Sequence, residues 1–144
     1  MGVVQEAAKA LFKDIRIEVT PLVKISEELP KHKKIKNPSF EKAKRLDANG
    51  KWEEAANHYY TIFTTTKNPK DKAEAFILLG QMYINLAKYS VAERFFKEES
   101  GFIEKELTGW DRTFYKARVT EKLGWIYDYC GRPKEALTNF KAAR

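Results

Sequence analysis

The run FILLGQMYINLAKYSVAERFF, Phe76 to Phe96, decides the fold of this 144-residue chain. Phe76, Leu79 and Tyr83 fall three and four residues apart, which puts them on one stripe of a helix. Gly80 stands inside that stripe with no side chain, so a second helix can approach closely there. After the turn Ala87-Lys88-Tyr89-Ser90, Ala92 and Phe96 repeat the small-then-large order from the partner's side. The spacing predicts a helical hairpin.

The same offsets recur downstream as Thr120, Leu123, Gly124, Tyr127, Ala136 and Phe140, and more faintly upstream as Ser39, Lys42, Ala43, Leu46, Ala55 and Tyr59. Turn and restart residues sit at matching places. Gly50 and Gly131 suit the left-handed residue that ends a helix, and Pro133 suits the first turn of the next. The order of bulky residue, Leu-Gly, Tyr, Ala and Phe resembles the tetratricopeptide repeat over residues 36 to 144, as three copies with the first degenerate. The small-residue column steps from 43 to 80 to 124, intervals of 37 and 44 against a usual period of about 34. The shorter surplus fits the junction at Thr64 to Pro69, with Asn68 as cap and Pro69 opening a helix. The longer one falls near Glu98 to Arg112, where lengthened helices joined around Thr108-Gly109 are expected. The expected fold is all-α, a right-handed superhelical solenoid of antiparallel helix hairpins with an extra N-terminal helical segment.

The chain divides into an N-terminal segment 1–29, a basic linker 30–37 and the repeat domain 38–144. Val4, Ala8, Leu11, Ile15, Leu22, Ile25 and Leu29 follow a three-then-four spacing, which predicts a helix that Thr20-Pro21 kinks or restarts. Ile15 to Val19 also alternates like a strand, but a lone strand in a helical chain has no partner. Such a segment caps the open end of a solenoid or supports self-association. At the other end Leu137 and Phe140 are left uncovered, as expected of the opening portion of a longer repeat protein or of an interface.

The formal charge is +7, and residues 30–45 alone contribute +6 of it. Lys31, Lys33, Lys34 and Lys36 lie between Pro30 and Pro38, and Lys42, Lys44 and Arg45 follow. A solvated linker is the expectation, because lysines without interleaved arginines or stacking aromatics bind nucleic acid weakly and without reading sequence. The alternative is an RNA- or acidic-surface-associated module using residues 31–45.

The resemblance implies function through the first helix of each hairpin, which in this family lines a concave groove. Carried over, that groove takes Phe40, Lys44 and Asp47 from the first copy and Ile77, Leu78, Gln81 and Asn85 from the second. The third copy adds Arg118, Glu121, Lys122, Trp125, Asp128 and Tyr129. Trp125 beside Arg118 and Lys122 would anchor a peptide carrying a carboxylate, or else packs against the preceding hairpin. Family members that grip acidic chaperone tails need charged and asparagine positions that here read Phe40, Lys44, Leu78, Arg118 and Lys122. Both asparagines are missing, so a two-carboxylate clamp is not expected.

The expected role is a non-catalytic protein- or peptide-binding adaptor or scaffold, with no cofactor and no metal. His32 and His58 lack a second ligand at metal-binding spacing. Cys130 has no histidine nearby in sequence and reads as a small buried apolar residue. One cysteine and no secretory-type apolar stretch point to the cytoplasm, and no run reaches transmembrane length.

Overall fold

The computed structural model describes residues 29–131. They are all-α, with α1 at Phe40–Ala48, α2 at Trp52–Thr65, α3 at Pro69–Asn85, α4 at Tyr89–Glu99, a short α5 at Gly101–Glu106 and α6 at Gly109–Tyr129. Each of the first three helices packs on the next, and α6 closes against α3, α4 and α5. The expected N-terminal helix and the second half of the third copy, with Pro133, Ala136 and Phe140, lie outside the described residues.

Two helix starts, those of α1 and α3, carry a side chain that satisfies the first backbone N–H groups. Ser39 Oγ accepts from Lys42 N at 3.1 Å, and Asn68 Oδ1 accepts from Lys70 N at 2.9 Å and Asp71 N at 3.1 Å, with Pro69 opening α3. Helix ends recur at equal offsets. After α1, Gly50 N donates to Asp47 O and Lys51 N to Leu46 O. After α3, Ala87 N donates to Ile84 O and Lys88 N to Tyr83 O, and after α6 Gly131 N donates to Asp128 O. The residue at the bend is left-handed in all three, with φ of 75° at Gly50, 59° at Ala87 and 72° at Gly131.

Alanine pays a steric cost for that conformation that glycine does not. Ala87→Gly is therefore expected to stabilise the protein by about 0.5–1 kcal/mol, the relief exceeding the extra freedom of glycine in the unfolded chain. Chemical denaturation reads this directly; a loss of stability would contradict the account of the turn.

The small columns of the sequence pattern are interior. Ala43, Ala55 and Ala92 are fully buried, as are Tyr59 and Phe96 one turn further on. A Cβ built on Gly80 would collide with the Cζ edge of the Phe96 ring, so the missing side chain is what admits α4 against α3. Phe76 sits at the centre of an aromatic cluster, with ring centroids 4.6 Å from Phe95, 5.3 Å from Phe102, 5.5 Å from Phe96 and 5.6 Å from Phe63. Their tilted and edge-on arrangements suit the quadrupoles of the rings.

Four expectations need correction. The long connection is not a lengthened second helix: α4 stops at Glu99, α5 turns separately, and only α6 is long, entered at Thr108 and Gly109. Ile103 and Leu107 are buried, so the extra residues add apolar surface to the core. Cys130 is exposed, past the end of α6. Ile77 is fully buried and serves the core, not a ligand. The basic linker is not simply solvated, since His32 and Ile35 dock onto α2 and α3 while Lys31, Lys33, Lys34 and Lys36 stay exposed.

Candidate functional site on the face shared by α3 and α6

Helical spacing places Glu74, Leu78, Gln81 and Asn85 along one side of α3, and Arg118, Lys122, Trp125 and Tyr129 along one side of α6. The contact between the two helices brings these rows together. Tyr115 Oη donates to Glu74 Oε2 at 2.8 Å, and Arg118 Nη1 lies 3.5 Å from the same carboxylate. One turn further, Lys122 Nζ donates to Gln81 Oε1 at 2.6 Å, and Gln81 Nε2 donates to Asn85 Oδ1 at 2.9 Å.

These pairings give the two cations different characters. The Arg118 charge is met by Glu74, and its guanidinium also lies 5.7 Å from the Phe114 ring centroid. Lys122 meets a neutral amide among the contacts described. Burial pulls its amine below the usual lysine range, with the Arg118 charge adding to the effect and Glu121 opposing it. Next to it Trp125 and Tyr129 stack at 6.2 Å, with Tyr129 5.5 Å from Tyr89. Gln81, Ile84, Lys122, Trp125 and Tyr129 line a cleft of about 230 Å³. Trp125 is 42% exposed and Tyr129 53%, so both present ring surface.

The remaining residues expected in a groove are placed differently. Phe40 is half-buried against Tyr59, at 6.2 Å between centroids, and Leu78 is half-buried on the core. Lys44 and Lys42 are exposed on α1, where Arg45 pairs with Glu41 at 3.2 Å. Glu74 and Tyr115 were not singled out from the sequence. The signal available was their helical register, since Glu74 lies seven residues before Gln81 and Tyr115 seven before Lys122.

A second polar cluster forms around His32. Asn57 Oδ1 lies 3.2 Å from His32 Nδ1 and also accepts from Lys33 N at 3.2 Å, so Nδ1 carries the proton and Nε2 accepts from Tyr83 Oη at 2.7 Å. Burial lowers the imidazole's affinity for a proton, the Asn57 bond opposes this, and Lys88 lowers it further. Burial, then Lys42, lowers His58 in the same direction, with Glu54 opposing. The unfolded chain therefore takes up protons first, near pH 6.5, and the stability held by neutral His32 is complete above that pH and lost as pH falls through the lower folded value. The urea midpoint of the wild type is expected to drop between pH 7 and 5 by more than that of His32→Gln. Parallel curves would assign the drop to other groups.

Among the described residues no group of three or more side chains could hold a metal ion, and no helix is long and apolar enough to cross a membrane. Comparison of the chain with family models, curated proteins and solved structures finds no match.

Proposed function

We propose that the chain is a non-catalytic, cytoplasmic adaptor of tetratricopeptide-like architecture that binds an acidic protein or peptide segment along α3 and α6. The solenoid reading is supported by the helix-ending hydrogen bonds at equal offsets after α1 and α3 and by the close approach of Phe96 at Gly80. The observation that carries the binding reading is the Lys122 ammonium, paired with an amide and flanked by the exposed Trp125 and Tyr129 rings. An aromatic anchor next to a partly desolvated cation suits a carboxylate with an apolar neighbour. Arg118 has a different part: held to Glu74, it braces α3 against α6.

Affinity purification from nuclease-treated extract tests this, comparing wild type with Lys122→Glu and Trp125→Ala. Each substitution is expected to weaken capture of a protein partner at least about tenfold, the loss of one charge-assisted bond or one aromatic anchor. Melting should shift by only a few degrees, because Trp125 is exposed and Lys122 is only half-buried. Equal losses of stability and binding would move Trp125 into the core and sink the anchor role.

One observation favours a second reading. The docked segment 30–36 turns Lys31, Lys33, Lys34 and Lys36 outward together, as a nucleic-acid or acidic surface contact would need. Retention of nucleic acid in untreated extract, with no protein lost from the Lys122→Glu variant, would put function there.

A further inference from the structure

The segment before α1 is held as a ligand would be held. It carries no secondary structure from 29 to 35, yet its backbone is read at alternate residues by two side chains one turn apart on α2. Asn57 Oδ1 accepts from Lys33 N at 3.2 Å, and Thr61 Oγ1 accepts from Ile35 N at 3.0 Å. Thr61 is only 2% exposed and its hydroxyl donates a hydrogen bond to Asn57 O at 2.9 Å. One side chain of the segment is read as well. The His32 ring centroid lies 4.8 Å from that of Tyr60 and 5.8 Å from that of Tyr83, with both nitrogens hydrogen-bonded. Thus α2 and α3 present a surface for an extended chain with an imidazole at one position, and its occupant is part of the same molecule.

The link to the domain is short and bent. Asn37, between the docked residues and Pro38, has φ of 58°, a conformation that asparagine tolerates at some cost. Opening that bend relieves the cost and frees the segment to reach an identical surface, the usual geometry of an exchanged element. We propose that Asn57, Thr61, Tyr60 and Tyr83 form a binding surface for an extended peptide, filled in one molecule by its own residues 32–35 and in a dimer by the same residues of a second copy.

The test uses the full chain and a labelled peptide spanning residues 29–38. A His32→Ala/Lys33→Pro variant, whose own segment lacks the ring and one N–H donor, is expected to bind the peptide at least ten times more tightly than wild type. Adding Asn57→Ala to that variant should abolish the gain. Binding no tighter than wild type, or unaffected by Asn57→Ala, would overturn the surface.

Should the double variant not fold, hydrogen exchange on wild type decides the same point. Excess peptide should strip protection from the chain's own Lys33 and Ile35 amides, and unchanged protection at millimolar peptide overturns it. The second copy is tested by sedimentation. Asn37→Val, which disfavours the bend, should shift the protein toward dimer relative to Asn37→Gly. Identical monomers at the highest attainable concentration would reject exchange.

Discussion

Phe76→Ala is expected to cost about 3–5 kcal/mol, the range for emptying a fully buried aromatic site. The ring is fully buried and touches four other phenylalanines drawn from α2, α4 and α5. Its removal leaves a cavity that no single neighbour can fill, since Phe63, Phe95, Phe96 and Phe102 are each fixed by further contacts within the cluster. Domains of this size hold only about 5–15 kcal/mol in reserve, so the midpoint of thermal unfolding should fall by on the order of 10 °C or more. Phe76→Leu, which keeps most of the volume, should lose less than half as much. A cost below about 1.5 kcal/mol for the alanine variant would mean the cluster collapses onto the gap, and that the aromatic arrangement contributes little beyond general burial.

Gly80→Leu is expected to destabilise by about 3 kcal/mol, at the upper end of overpacking costs. Even the first added carbon collides with the Cζ edge of the Phe96 ring, and Phe96 is itself fully buried. Helix propensity works the other way, since replacing a mid-helix glycine by alanine gains about 1 kcal/mol. Gly80→Ala therefore separates the two effects: a net loss shows that the clash with Phe96 outweighs the propensity gain. Combining Gly80→Ala with Phe96→Leu makes room for the methyl, and the pair should be less harmful than the sum of the single changes. Strict additivity would show that the two residues do not compete for the same space.

How far the candidate site could be read from sequence depended on where its partners lie along the chain. The resemblance to a repeat family assigns Gln81, Lys122, Trp125 and Tyr129 to one groove, and these four line one cleft with Ile84. Register said nothing of charge compensation. Arg118 and Lys122 look equivalent in the sequence, yet one meets Glu74 and the other Gln81, both more than forty residues away. Ile77, beside Leu78 in the same run, was expected in the groove and is buried. A helix surrounded on several sides by α2, α4, α5 and α6 leaves few of its residues to solvent. His32 read as one more residue of a lysine segment because its partners, Asn57 and Tyr83, are remote in sequence.

Spacing and residue type suffice for the local framework: that the described residues form helices, where α3 begins at Asn68-Pro69, and where left-handed bends fall at Gly50 and Gly131. They also mark Gly80 as a point of close approach. Each of these rests on forces between residues near in the chain or on one helical stripe, and such forces are written in spacing and residue type. Packing across the fold sets which cation is neutralised, which apolar residue is denied to solvent, that a basic segment docks through one imidazole and two amides, and that the long connection folds as a separate α5. Those outcomes depend on distances between groups far apart in sequence, where a shift of a few ångströms decides between a hydrogen bond and none.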